Sequence, residues 1–180
     1  GGSVLEPSAG TGNFIGAMPA NISANVRSKT MIELDGITGL IAKYLYPNAD
    51  VRIQGFEKAL LPDGYMDAVI GNIPFDTTGI VDKAFPREVT RSLREYFIAK
   101  SLAKTRPGGI VMLITSNGTL DNTTTDSRRY MMKQADLIGA IRLPNTAFAA
   151  NANTNVVADI LIFKKRAEGL PYAGEAFLET

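Results

Sequence analysis

Residues 66–75 read Met-Asp-Ala-Val-Ile-Gly-Asn-Ile-Pro-Phe, and this stretch sets the architecture of the chain. Its apolar beginning, with Val69 beside Ile70, predicts a short buried β-strand. Asn72 ends the apolar run, while Pro74 cannot donate to a strand ladder and holds the residue before it extended. We therefore expect residues 72–75 to form a stiff corner at the carboxyl end of a strand, where open α/β sheets bind their ligands. Taken alone, these four residues are explained equally well by an ordinary turn.

A glycine-rich stretch lies upstream, where residues 6–16 read Glu-Pro-Ser-Ala-Gly-Thr-Gly-Asn-Phe-Ile-Gly after a strand-like segment at residues 3–5. Glycines let the backbone approach a ligand closely, and the N–H groups of a following helix point at the loop. The stretch lacks the Gly-Lys-Ser/Thr of a P-loop, and Ile15 stands where a dinucleotide fingerprint carries its third glycine. It therefore predicts a cofactor-binding loop of another kind.

Two acidic residues end the second predicted strand, residues 29–35. Glu33 follows Gly12 by 21 residues, the spacing at which dinucleotide-binding folds place an acid on ribose hydroxyls. Capping of a predicted helix at residues 36–46 is an alternative for both acids, and it is the role that we expect for Asp35.

The rest of the chain alternates predicted strands and helices. A third strand at 50–54 leads to Phe56 and Glu57, where a side chain could hydrogen-bond the adenine of a cofactor. The following pattern predicts a loop beside the site at 76–86, a helix at 88–105 ended by Pro-Gly-Gly at 107–109, a buried strand at 110–114, a short basic helix at 126–134, and two closely spaced strands at 136–143 and 156–163.

The apolar stripe of the predicted helix 88–105 leaves Arg87, Arg91 and Arg94 on a solvated face. We find no internal repeat and expect one catalytic domain over residues 1–166, with a tail over residues 167–180.

Composition limits the chemistry that the chain can perform. Apolar residues make up 45% and charged residues 21%, as in soluble globular proteins, and no run resembles a membrane span or a signal peptide, so a cytoplasmic location is expected. The chain contains no cysteine and no histidine, which excludes disulfides, cysteine-ligated metals and imidazole catalysis. A net charge of +1 gives little general attraction to nucleic acid, so any such contact must be local.

Together the two motifs resemble those of the N6-adenine DNA methyltransferases. Residues 6–14 resemble the first motif of these S-adenosylmethionine-dependent enzymes, and residues 72–75 resemble their Asn-Pro-Pro-Tyr/Phe signature except at Ile73. The resemblance covers residues 2–166 and implies a Rossmann-like class I methyltransferase fold, an α/β fold with a mostly parallel seven-stranded sheet and a reversed C-terminal hairpin. It also implies S-adenosylmethionine as cofactor, without a metal, bound by Glu6, Pro7, Ser8, Gly10, Gly12, Asn13, Phe14, Glu33, Leu34, Phe56 and Glu57.

The same resemblance implies how the corner acts on DNA. Asn72 and Pro74 would accept the N6 hydrogens of an adenine flipped out of the duplex, with Phe75 and Phe148 stacking on its two faces. Phe148 is explained equally well as a core residue. Ile73, in place of the family's first proline, is expected to loosen the corner without removing an acceptor.

DNA is therefore the expected partner, together with flanking domains of a larger parent chain that include a DNA-recognition domain after the core. Residues 1–180 on their own are expected to fold but to transfer methyl groups poorly.

Two other functions stay open. A methyltransferase acting on RNA or on a protein glutamine can use a similar Asn-Pro corner, although the Glu-Pro-Ser-Ala-Gly start favours DNA. A non-catalytic cofactor- or DNA-binding module of a larger protein is the other alternative, and it is kept open by the departure at Ile73 and by the segments expected to be missing from the core.

Overall fold

The computed structural model describes residues 1–147 and 156–178. Its centre is a seven-stranded sheet in the order β3-β2-β1-β4-β5-β7-β6. The strands are β1 Gly2–Glu6, β2 Val26–Glu33, β3 Asp50–Ile53, β4 Met66–Asn72, β5 Thr105–Ser116, β6 Ala135–Leu143 and β7 Ala158–Lys165. The helices are α1 Asn13–Gly16, α2 Ala20–Ser23, α3 Gly36–Leu45, α4 Arg87–Thr90, α5 Leu93–Lys104, α6 Gly118–Asp121 and α7 Asp126–Met132, with a 3₁₀ turn at Phe56–Lys58.

The sheet is parallel except at its last strand. Strands β3, β2, β1, β4 and β5 pair in parallel, whereas β7 is antiparallel to both β5 and β6. This topology confirms the predicted mostly parallel sheet with a reversed C-terminal hairpin. Because the carboxyl ends of parallel strands meet at one edge, the topology brings the glycine loop, Glu33 and the Asn72 corner to the same side of the molecule.

The main hydrophobic core lies between one face of the sheet and α5. Val69, Val111 and Leu102 are among its fully buried members, and burial of such side chains contributes about 1.5–3 kcal/mol each. A smaller cluster on the opposite face includes Met31 of β2 and Ala42 of α3. The two clusters hold the central strands in place and so fix the edge where the site lies.

The prediction of one continuous helix at 88–105 is wrong. Two helices form instead, because Ser92 between them has an extended backbone (φ −138°, ψ 126°). The break frees the first N–H groups of α5 for the loop before it, and Leu93 N–H donates to the Thr78 carbonyl at 2.7 Å. The loop thereby satisfies donors that a helix N-terminus leaves without partners inside the helix.

The strand after α5 begins earlier than predicted. Thr105 already pairs with Met66 of β4, so residues 107–109, predicted to lie before the strand, belong to β5. Gly108 adopts φ 79° there, in the region where glycine is favoured.

Arg94 is buried, contrary to the prediction of a solvated face. Only 6% of the residue is exposed, and its guanidinium contacts Glu95 at 3.0 Å and donates to the Ser116 hydroxyl at 2.9 Å. Arg87 and Arg91 are exposed as expected. Sequence periodicity missed the burial because Ser116, which comes from β5, lies far away along the chain.

Helix α7 confirms the short helix predicted at 126–134, but Arg128 within it is buried and donates to backbone carbonyls, including that of Asn122 at 2.8 Å. Over the residues that the structure describes, no helix is both long and apolar enough to span a lipid bilayer.

Candidate active site

The glycine-rich stretch forms the turn between β1 and α1. Gly10 and Gly12 adopt left-handed backbone conformations, with φ of 57° and 88°, which glycine tolerates at little cost. A side chain at Gly12 would overlap Met31 and Tyr46, whereas the space beside Gly10 is open. The loop backbone can therefore approach a ligand directly at Gly10.

Glu33 joins this loop to the end of β2. Its Oε2 accepts from the N–H of Gly10 at 2.7 Å, and its Oε1 accepts from the N–H of Asp35 at 2.8 Å. Asp35 has a different role, because its Oδ1 accepts from the N–H of Thr38 at 2.7 Å and so caps α3. The hydroxyl and N–H of Thr38 hold the pKa of Asp35 below its ordinary value. The capping role predicted for Asp35 is confirmed.

Glu6 lies beneath the glycine loop at the end of β1. It is 1% exposed, and its Oε2 accepts from the N–H of Ile15 at 3.3 Å. Burial raises the pKa of the Glu6 carboxyl to about 7, although the N–H groups of Ile15 and Phe14 act in the opposite direction. Glu6 therefore supports the start of α1, and its charge changes near neutral pH.

A cavity of about 270 Å³ opens at the carboxyl edge of the sheet. Its floor is aromatic, since Phe56 and Phe97 line it with ring centroids 5.0 Å apart. Glu33, Gln54 and Glu57 supply polar groups at its margin. The volume lies near the lower end of known ligand pockets, and a flat apolar group with polar edges, such as a nucleoside, suits this lining. The remaining lining residues are Pro7, Ser8, Leu34, Gly55, Pro74, Ile80 and Leu93.

The Asn72 corner borders this cavity. Asn72 is the last residue of β4 and is exposed, and Pro74 lines the cavity. Ile73 between them is 2% exposed, and its N–H donates to the Ile114 carbonyl of β5 at 3.0 Å. Proline has no N–H for such a bond. Ile73 thus gives the corner a bond to the neighbouring strand that the family's proline could not make.

The loop at residues 76–86, predicted beside the site, is tied to α5 by a buried polar group. Asp82 accepts from the Tyr96 hydroxyl at 2.6 Å and lies 3.6 Å from the Lys100 ammonium. That ammonium also donates to the Glu57 carbonyl at 3.2 Å. Burial lowers the pKa of Lys100, and burial together with Asp82 raises the pKa of Tyr96. The group links the loop to the Glu57 side of the cavity.

Most residues predicted to bind the cofactor surround this one cavity. Asn13 and Phe14 instead line a second, mainly apolar cavity of about 600 Å³, and Phe75 is half-buried beside Pro74. Phe148 lies outside the described residues. The predicted residues that line the first cavity are Pro7, Ser8, Glu33, Leu34, Phe56, Glu57 and Pro74.

Sequence reasoning missed five contributors to the cavity: Gln54, Gly55, Ile80, Leu93 and Phe97. Gln54 directly follows β3, and its position at a strand end could have indicated it. Leu93 and Phe97 belong to the stripe that periodicity assigns to the core, and no pattern singles out Ile80 in its irregular loop. In residues 1–147 and 156–178, no cluster of acidic side chains is arranged to hold a metal ion.

Solved structures of the same topology define the class of the fold. The chain superposes with a TM-score of 0.76 and 22% identity on a Listeria monocytogenes protein assigned to the class I S-adenosylmethionine-dependent methyltransferases, covering 98% of this chain and 57% of that one. The M protein of the type I restriction enzyme EcoKI superposes with a TM-score of 0.73 and 18% identity, covering 97% and 42%. The fold is thus that of a class I methyltransferase.

Sequence comparison narrows this class to a family. A family model described as N-6 DNA Methylase matches residues 46–176, and the chain belongs to that family. It is also 32% identical over 189 residues to the Defense against restriction protein B of Escherichia phage P1, a match that covers 99% of this chain but 8% of that protein. The chain therefore spans a small part of this curated relative and between 42% and 57% of the two solved proteins above.

Proposed function

We propose that this chain is the catalytic core of a DNA adenine N6-methyltransferase that uses S-adenosylmethionine. One observation carries the proposal: a nucleoside-sized cavity and the Asn72 corner share a wall, because Pro74 lines the cavity and Asn72 stands exposed beside it. Membership in the N-6 DNA methylase family supports the choice of adenine as the target.

The side chains around the cavity fit the adenosine part of S-adenosylmethionine. Glu33 accepts two N–H bonds, and since a carboxylate has about four lone pairs, it retains acceptors for the ribose hydroxyls. Phe56 and Leu34 offer apolar surface to an adenine ring, and Glu57 offers an acceptor to its amine. When bound, this cofactor supplies a methyl group already activated by its sulfonium.

The Asn72 corner would make the amine nitrogen of the target adenine more nucleophilic. That nitrogen is a weak nucleophile because its lone pair is delocalised into the ring. Acceptance of its two hydrogens by the Asn72 amide oxygen and the Pro74 carbonyl would favour the pyramidal amine and direct the lone pair at the methyl group. Phe75 would stack on the base once it has turned out of the duplex. The methylated nitrogen then releases its extra proton to water, so no side chain of tuned pKa is required.

DNA recognition is proposed to lie elsewhere in the full-length protein or in partner subunits. A net charge of +1 provides few phosphate contacts, whereas stable binding at physiological salt requires several. We expect the complete enzyme to act in the cytoplasm, where its DNA substrate would be found.

A methyl-transfer assay on three substrates tests this function. The full-length gene product is incubated with isotope-labelled S-adenosylmethionine and, separately, with DNA, RNA and protein, and the products are digested for mass spectrometry. We expect label in N6-methyladenine from DNA. Label confined to RNA or to a protein glutamine would replace the proposal by the rival methyltransferase, and cofactor binding without any transfer would indicate a non-catalytic module.

A further inference from the structure

Helix α3 exposes its large apolar residues, whereas a helix that only covers a sheet would turn them toward the sheet. The residues that it buries are the small ones, Gly39 and Ala42. A Cβ at Gly39 would lie 2.8 Å from Ile53 Cγ1, which shows how closely the helix backbone approaches β3. Small residues at this contact leave no room for a larger side chain between helix and sheet.

The large apolar residues of α3 point to solvent. Five of them are 43% to 85% exposed, and they recur at the spacing of one helix face. Because successive residues are about 100° apart around an α-helix, this stripe is centred opposite Gly39 and Ala42. The five residues, called here the α3 outer stripe, are Ile37, Leu40, Ile41, Tyr44 and Leu45.

The α3 outer stripe has the composition of a permanently covered surface. Lys43 is the sole charged residue between positions 36 and 45, and depletion of charge marks the buried centres of interfaces. A surface helix normally shows the reverse pattern, with polar residues outward. The stripe therefore calls for an apolar partner.

The size of the stripe indicates where that partner comes from. A helix of ten residues is about 15 Å long and about 10 Å wide, so its outer face offers on the order of a few hundred Å². Stable complexes between separate proteins bury about 800 Å² on each partner. The stripe by itself is therefore too small for a stable complex of separate proteins, whereas an occupant on the same chain is held nearby at high effective concentration.

We propose that a segment of the same polypeptide, lying outside residues 1–180, packs as an amphipathic helix along the α3 outer stripe. The curated phage relative supports this source, because the match covers 8% of that protein's length, and a parent chain of similar length would contain further segments that could cover α3. The segment would lie next to the cofactor cavity, since Leu34, which lines that cavity, stands just before α3.

Photo-cross-linking in the full-length gene product tests the proposal without any assay of methyl transfer. A benzoylphenylalanine replaces Tyr44 in one variant and exposed Lys133, at the end of α7, in a control variant. We expect the variant at position 44 to form an intramolecular cross-link to a peptide outside residues 1–180, with a yield at least fivefold above the control. Equal yields at both positions would overturn the proposal, and a cross-link between two molecules that increases with concentration would assign the stripe to a second copy instead.

Hydrogen exchange provides a second readout in the same full-length protein. The double substitution Ile37→Lys and Tyr44→Lys should raise amide exchange at least tenfold in α3 and in one segment outside residues 1–180, whereas Lys43→Glu should change neither. If the double variant exchanges like the unmodified protein in every segment outside residues 1–180, nothing covers the stripe and the proposal fails.

Discussion

Replacement of Glu33 by alanine probes the cofactor half of the site. The substitution removes the acceptor of the Gly10 N–H bond at 2.7 Å and of the Asp35 N–H bond at 2.8 Å, along with the acceptors proposed for the ribose. A hydrogen bond to a charged group contributes about 1.5–3 kcal/mol when both groups are shielded from water. Glu33 is partly exposed, so solvent replaces part of this loss, and we expect S-adenosylmethionine binding to weaken by about 1–3 kcal/mol.

Calorimetric titration measures this effect as a change in the dissociation constant. The expected loss corresponds to a roughly 5- to 150-fold weaker affinity. Asp35→Ala is the matched control, since it removes the neighbouring carboxylate and the cap of α3 at a cost of about 1 kcal/mol in stability but should leave the affinity within about twofold by the same reasoning. An unchanged affinity for Glu33→Ala, with an unchanged melting temperature, would refute the role assigned to Glu33.

Three further predictions concern stability. A non-glycine residue in the left-handed region costs about 1–2 kcal/mol, and Gly10→Ala should cost only that amount because the space beside Gly10 is open. Gly12→Ala should cost more, because a Cβ there also overlaps packed side chains. Equal losses of the two variants in chemical unfolding would contradict this prediction. Glu6 has a folded-state pKa of about 7 against an ordinary 4.5, so its contribution to stability is present below pH 4.5 and is lost as the pH rises through 7. Glu6→Gln should therefore raise the free energy of unfolding at pH 8 by on the order of 3 kcal/mol and change it little at pH 5, and parallel pH profiles would count against it. Asp82→Ala leaves the buried Lys100 ammonium without its carboxylate and should cost about 3 kcal/mol, which Lys100→Met in the same chain should partly restore; a loss under about 0.5 kcal/mol would show that the pair is dispensable.

The parts of the fold that sequence could predict are those set by neighbours along the chain. The apolar run before Asn72 and the glycines at positions 10 and 12 carry their own backbone preferences, and both motifs adopt the predicted conformations. Asp35 likewise caps a helix that starts one residue later. In each case the interacting groups are close in sequence, so local pattern is sufficient.

The parts that sequence could not predict depend on contacts between distant segments. Ile73 stands where the family has a proline, and its N–H donates to the carbonyl of Ile114 in β5. Sequence could not predict this hydrogen bond, because its acceptor lies far away along the chain. Arg94 fits a solvated face by periodicity, yet Glu95 and Ser116 together make its burial possible. Ile80 enters the cavity because its loop is bonded to α4, through its own N–H and the Thr90 carbonyl at 2.8 Å.

The α3 outer stripe shows a different limit of pattern reading. Its apolar spacing alone predicts a core-facing helix side, and the structure shows that this side faces away from the sheet. A periodic stripe thus identifies the apolar face of a helix, but it does not identify what that face packs against.

The central claim, methyl transfer to an adenine held at the Asn72 corner, is tested most directly by a single-turnover measurement on Asn72→Ala in the full-length gene product. The amide is proposed to act on the amine in the transition state, so the rate constant for formation of N6-methyladenine in DNA should fall at least about 100-fold. Affinity for S-adenosylmethionine should stay within about threefold, because Asn72 lies outside the residues that line the cavity proposed for the cofactor. The substitution is expected to remove stabilisation of the transition state and not binding of the ground state. Transfer by Asn72→Ala at the rate of the unmodified protein would contradict the account.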